Sequence, residues 1–311
     1  MNTRKGNSGT AILERRAIAA PDSRADAYQQ VTDQVIAMLE AGTAPWHKPW
    51  KTETSLPRSL STGKPYRGIN PFLLQVSAIA AGYSSPWWAT YKQIQERGGH
   101  VRKGARSTLI TFWKQYTRKA RTPDEEDHTA YVLRAYRVFN TDQADGLVLP
   151  PVAGHTTEFD PIAACDEAIS RYFATDGPRL MHGCSRACYS PSRDVVMMPE
   201  RSSFDSPEAY YGALFHESTH STGHHKRLAR PDFLELHAFG DPSYSREELV
   251  AEMGAAFLSD HTGIAAVTLP NSASYLASWL RVLKSNSKLV VQAATQAQKA
   301  ADLILGITHA D

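Results

Sequence analysis

The chain has 311 residues, 42% of them hydrophobic, a formal net charge of +2 and three cysteines. That length supplies core for two modest domains, and no run of 18 apolar residues exists to cross a membrane. The polar start, Met1 to Asn7, lacks the apolar stretch of a secretory signal, and an odd cysteine count argues against a disulfide framework, so a soluble, cytoplasmic protein with no membrane partner is expected.

The small net charge hides an asymmetry. Residues 1–150 carry 21 Lys/Arg against 13 Asp/Glu, and residues 151–311 carry 13 against 19. Within 41–119 the balance is 13 basic to 2 acidic. A basic front and an acidic rear predict a polyanion-binding domain joined to a separate catalytic one.

Residues 1–25 are polar and without periodicity, and read as a flexible arm. From 25 to 41, Val31, Val35, Ile36, Met38 and Leu39 fit an amphipathic helix ended by Gly42. Pro45 and Pro49 break it. Helices over 71–81 and 90–97 follow, then strands over 107–116 and 130–140 around a charged loop. These elements make a front α+β domain over 26–148. Five of the six tryptophans (Trp46, Trp50, Trp87, Trp88 and Trp113) share the span of basic excess. Cations neutralise phosphates while flat aromatic faces stack on unpaired bases, so the pattern predicts single-stranded DNA as the partner. The candidate contacts are Trp46, Lys48, Trp50, Lys51, Lys64, Arg67, Trp88, Lys92, Arg102 and Lys103.

Leu147-Val-Leu-Pro-Pro-Val152 stiffens a linker and opens a rear domain over 149–311. A helix over 160–174 precedes short strands over 179–181, 187–190 and 194–198. The last of these is expected to form the edge of a cleft, where an extended substrate adds as a further strand. Cys184 and Cys188 lack a second Cys or His pair at zinc-finger spacing and read as ordinary buried thiols.

Next comes His216-Glu217-Ser-Thr-His220, the most specific motif in the chain. Ser206-Pro207 supplies an N-cap and a first-turn proline, and Gly223 suits the helix end. On that helix the two histidines project from one face, one turn apart, and reach a single metal ion. Glu217 stands beside it as the general base of a metal-dependent peptidase. A third histidine in the HExxHxxGxxH pattern fails, because that position is Lys226. The helix over 245–261 instead offers Glu248 and Glu252 at i and i+4. Glu248 is assigned to the metal and Glu252 to orienting a ligand histidine. If Ser245 and Glu248 form a capping box instead, Glu252 becomes the ligand. His224, His225 and Tyr244 are candidates for stabilising an oxyanion, and the loop 224–244 is long enough to act as a lid. Helices over 271–283 and 285–306 complete the chain.

Several segments together carry a family resemblance. They are Pro45-Trp-His-Lys-Pro-Trp50, Tyr66-Arg-Gly-Ile-Asn70, Trp88-Ala-Thr-Tyr-Lys-Gln93, Val101-Arg-Lys-Gly104, Val138-Phe-Asn-Thr-Asp-Gln143, the HExxH motif and Glu247-Glu-Leu-Val-Ala-Glu252. Over roughly 27–305 the chain resembles the ArdC-type antirestriction proteins of conjugative plasmids. The resemblance implies a single-stranded-DNA-binding domain followed by a zincin-like metallopeptidase domain. It further implies Zn2+, or another divalent metal such as Mn2+ or Co2+, on His216, His220 and Glu248, with Glu217 as base and protection of incoming plasmid DNA as the role. The peptide substrate is left open. Two alternatives stand beside this: a protease targeted to proteins on single-stranded DNA, and a pure DNA-binding protector with a non-catalytic metal site.

Overall fold

In the computed structural model, which describes residues 23–41, 56–118, 128–151, 161–234, 242–264 and 272–308, a long hairpin organises the front half. Helix α1 (Ser23–Glu40) begins inside the stretch read as an arm, and residues 1–22 lie outside the described residues. It is followed by β1 (Arg58–Ser59), α2 (Asn70–Ala81), β2 (Trp87–Ala89), α3 (Tyr91–Glu96) and β3 (His100–Val101). Strands β4 (Thr108–Arg118) and β5 (His128–Asn140) then pair antiparallel along their length, from Thr108↔Val138 to Arg118↔His128. The sheet order is β1-β2-β5-β4, and β3 pairs with β6 (Ala144–Asp145) in a separate ribbon.

Side chains of Thr, Asn and Gln fix the joints of this half. A reciprocal capping box between Thr90 and Gln93 starts α3, and Asn140 with Gln143 repeats it on the 3-10 turn after β5. Buried Asn70 clamps the start of α2 to β4. Its Nδ2 donates to the Thr111 carbonyl at 2.7 Å, and its Oδ1 accepts from the Thr111 N–H at 2.8 Å.

The rear half runs α4 (Pro161–Thr175), β7 (Arg179–Met181), β8 (Cys188–Ser190), β9 (Val195–Met197), α5 (Pro207–Thr222), α6 (Pro231–Leu234), α7 (Pro242–Thr262), α8 (Ser272–Ser285) and α9 (Leu289–Leu305). Its sheet order is β7-β9-β8, so the last strand lies in the middle and not at the edge as expected. The reason is apolar: Val195 and Val196 are buried, and a strand so composed belongs where both neighbours cover it. The edge on the cleft side is β8. Among the described residues no helix is long and apolar enough to cross a membrane.

One hydrophobic core runs through both halves. Val31, Val35 and Leu39 of α1, Phe72 and Leu73 of α2, and Leu109 and Leu133 of the hairpin share a cluster with Phe215 of α5, Met253 of α7, Trp279 of α8 and Val290 of α9. Phe72 stacks on Phe257 with ring centroids 4.8 Å apart, and Thr32 donates to the Ser287 carbonyl at 2.6 Å. Trp88, expected on a DNA-facing surface, is corrected here. It is 1% exposed and packs with Tyr66, Leu74, Ile110 and Val138, so its indole has no face to offer a base.

Two glycines set the approach of the helices that carry the HExxH motif and its partner. A methyl group at Gly254 of α7 would stand 2.5 Å from Thr219 Cγ2, inside the motif, and Thr219 is fully buried with its hydroxyl bonded to the Phe215 carbonyl. Gly254→Ala should therefore destabilise the fold by about 1–3 kcal/mol and weaken metal retention, read by thermal melting and metal analysis. Gly223 does end α5, but with right-handed geometry (φ −70°). A side chain is excluded there by Phe233, 2.7 Å from where its Cβ would sit.

Candidate metal centre and cleft

Helix α5 starts where the sequence places it: Ser206 Oγ accepts from the Ala209 N–H at 3.2 Å, with Pro207 in the first turn. His216 and His220 come together on its buried face, their Nε2 atoms 3.1 Å apart. From α7, Glu248 reaches both, with Oε2 3.6 Å from His216 Nε2 and Oε1 3.4 Å from His220 Nε2. Four ligands around a tetrahedral zinc at about 2.0–2.1 Å lie roughly 3.3–3.4 Å from one another, so these three donors have the spacing of a metal site.

Behind the donors, each imidazole's other nitrogen faces a carboxylate. His216 Nδ1, a buried atom with no hydrogen bond, lies 3.6 Å from Glu252 Oε1, and His220 Nδ1 lies 3.3 Å from Glu247 Oε1. Arg230 holds Glu247 in turn through Nε to Oε2 at 3.0 Å. The helix starts at Pro242, so Ser245 lies inside it and cannot be the N-cap that a Ser245–Glu248 capping box requires.

The charges are strongly coupled. Burial works against ionising Glu248, yet hydrogen bonds from His216 and His220 hold its carboxyl far below the usual carboxylate range. Burial likewise opposes charging His220, but the Glu247 and Glu248 carboxylates raise its pKa well above the ordinary imidazole value. His216 is raised in the same way, against its burial, by Glu248. Without an ion, this pocket attracts protons.

The donors open into a cleft of about 360 Å³, walled by β8, α6 and the start of α7. Glu217 is half-buried at its edge, and Oε2 accepts the backbone N–H of Tyr189 on β8 at 2.7 Å. That strand is braced from behind: Tyr189 Oη donates to Asp194 Oδ1 at 2.7 Å, and Arg227 binds the same carboxylate. Of the three oxyanion candidates only Tyr244 lines the cleft; His224 is turned toward Asp194, 3.9 Å away, with the His225 ring tilted against it at 4.1 Å. The loop taken as a lid contributes Asp232 and Phe233 of α6 to the cleft wall, while residues 235–241 lie outside the described residues.

Cys184 and Cys188 are half-buried, not buried as expected: Cys184 lies in the connection between β7 and β8, and Cys188 lines the cleft. Burial and the Glu217 charge push the Cys188 thiol up, away from the thiolate form. Glu247, Arg230 and the Tyr189 N–H escape sequence reasoning. The Glu247-Glu248 doublet, which includes the candidate ligand Glu248, is the sequence signal nearest to any of them.

Of the described front-half candidates only Lys64 and Arg67 come together, on one groove. Trp46, Lys48, Trp50 and Lys51 lie outside the described residues. Arg67 pairs with Asp302, Lys92 with Glu96 at 3.6 Å and Arg102 with Asp145 at 2.8 Å. Lys64 and Lys103 are exposed.

Comparison with known proteins agrees with this division of features. Residues 25–139 match the family model for the N-terminal domain of anti-restriction factor ArdC, and residues 167–296 match a zincin-like metallopeptidase model. The uncharacterized protein y4eC of Sinorhizobium fredii is 37% identical over 292 residues, spanning 91% of this chain and 92% of that protein. The DNA primase TraC of Escherichia coli is 33% identical over 298 residues, but those span only 27% of its length. Among solved structures, the antirestriction protein ArdC of plasmid R388 superposes in its metal-free form with a TM-score of 0.72 at 38% identity, covering 89% of this chain and 96% of that one. Its Mn(II)-bound form gives 0.71 at 39% identity, covering 90% and 97%.

Proposed function

Because this chain belongs to the family of ArdC antirestriction proteins, we propose that it binds single-stranded DNA with its front half, about 26–148, and hydrolyses peptide bonds with its rear half, 149–311. The proposed role is protection of incoming plasmid DNA in the cytoplasm. The observation that carries the enzymatic part is the convergence of His216, His220 and Glu248 in one cleft with Glu217. That donor set, two imidazoles and a carboxylate, suits zinc and also accepts manganese or cobalt.

His216, His220 and Glu248 would hold the ion, which when bound supplies Lewis-acid polarisation of a scissile carbonyl. The residues do the rest. Glu247, 3.3 Å from His220 Nδ1, and Glu252, 3.6 Å from His216 Nδ1, would orient the two imidazoles. The Tyr189 N–H holds Glu217 Oε2, leaving Oε1 to take a proton from the attacking water and pass it to the leaving amine. Tyr244, which lines the cleft, would be the donor to the developing oxyanion. A peptide extended along β8 would lie beside the strand that positions the base.

The test uses the intact purified protein. Metal analysis should find one tightly held divalent ion per chain, and titration should show single strands preferred over duplex, with affinity falling steeply as salt rises. Absence of stoichiometric metal would remove the peptidase reading. Equal affinity for duplex and single strand would remove the single-strand reading.

A further inference from the structure

A cavity of about 780 Å³ lies apart from the metal cleft and shares no lining residue with it. It is a groove between the β4–β5 hairpin, the 59–70 segment and α9. On its hairpin wall Phe112 and Tyr136 occupy the same sheet face, since Phe112 pairs with Arg134 and Ile110 with Tyr136. Their rings meet edge-on at 5.8 Å, yet Phe112 is 45% and Tyr136 41% exposed. Tyr66 extends the same aromatic run, 6.1 Å from Phe112. Exposed aromatic rings held by a rigid strand pair are costly in water unless something covers them.

The charge around the groove says what. Lys64 stands on one rim and Lys299 of α9 on the other, both exposed and without an ion pair among the described residues. Arg67 is also there, answered by Asp302. Farther along the same hairpin face Lys114 and Arg134 approach the Tyr116 ring, at 5.3 and 5.9 Å. The face therefore alternates aromatic rings with cations, the combination that stacks unpaired bases and neutralises phosphates. Duplex DNA keeps its bases stacked inside and cannot present their faces to Phe112 or Tyr136.

We propose that single-stranded DNA is seated in this groove, with bases stacked on Phe112 and Tyr136 and phosphates met by Lys64 and Lys299. This rests on the reading that the chain binds single strands, and it places the seat on exposed rings rather than on the buried Trp88, and partly on the rear half. Because α9 supplies Lys299 and packs with its other side on α5 and α7, the strand would lie against the helix that supports the metal centre.

Fluorescence anisotropy with a labelled oligothymidylate on the intact protein tests it. Phe112→Ala and Tyr136→Ala should each weaken binding about 5- to 150-fold, the range for loss of one stacked base. Lys64→Gln with Lys299→Gln should flatten the salt dependence of affinity by close to two phosphate contacts. Tyr131→Ala removes a ring that is 62% exposed and faces the other side of the hairpin, and should bind as the unaltered protein does. If the unaltered protein binds the oligonucleotide and all four groove changes leave affinity and salt slope intact, the seat is elsewhere and the inference falls. If the unaltered protein does not bind single strands at all, the functional reading fails first. Because all four side chains are exposed, unchanged melting and metal content should accompany the variants.

Discussion

Glu217→Gln should abolish nearly all peptide cleavage while leaving the rest of the protein intact. The amide keeps the volume of the carboxylate and can still accept the Tyr189 N–H through its oxygen, so β8 and the cleft wall stay in place. It cannot take a proton from water, and loss of a general base lowers turnover by about 10²–10⁴-fold. Metal content should not change, because His216, His220 and Glu248 are untouched. Single-strand binding should also persist, since the cleft and the aromatic groove share no residue. A plasmid-transfer assay then yields information either way. Protection that survives means coating of the strand suffices; protection that disappears while DNA binding and metal content hold means cleavage of a protein is part of the role. A variant that cleaves as well as the unaltered protein would remove Glu217 from the mechanism.

Loss of metal is the second large effect. His216→Ala, His220→Ala or Glu248→Ala each leaves two protein ligands and should empty the site on dialysis. Glu252→Gln should only weaken retention, by about 10–100-fold, because it touches His216 from the far side of the ring. If Glu252→Gln empties the site and Glu248→Ala does not, the ligand roles of the two glutamates are exchanged. Acid should act in the same direction as ligand removal. Both metal-free imidazoles are raised above their ordinary pKa, so an ion must displace protons to bind, and apparent affinity falls as pH is lowered.

Helix positions were legible because they depend on local chemistry. Ser206-Pro207 starts α5, a signal that lies within four residues of the feature it fixes, and the span over 90–97 matches α3. Strand order was not legible, since nothing local says that β9 rather than β8 takes the centre of its sheet. Trp88 misled for a related reason: an indole among lysines reads as a stacking platform until the chain that covers it is known. The aromatic groove was invisible because its two walls lie far apart in sequence, at the hairpin and at α9. Several motifs that carry the family resemblance turned out to be joints: Asn70, Thr90, Gln93, Asn140 and Gln143 all spend their side chains on backbone groups. The place of Glu247 was unreadable because it depends on how α7 is rotated against α5.

The core that joins the two halves bears on how such a protein can be inherited. A crossover near residue 148 between this chain and a relative would pair one parent's α1, α2 and hairpin with the other parent's α7, α8 and α9. Val31, Val35 and Phe72 would then meet unfamiliar partners at the positions of Trp279, Val290 and Phe257, and Thr32 would need a carbonyl where Ser287 now offers one. Volume mismatches in a packed interior are felt at the level of single methyl groups. Front and rear are therefore expected to travel best as a matched pair.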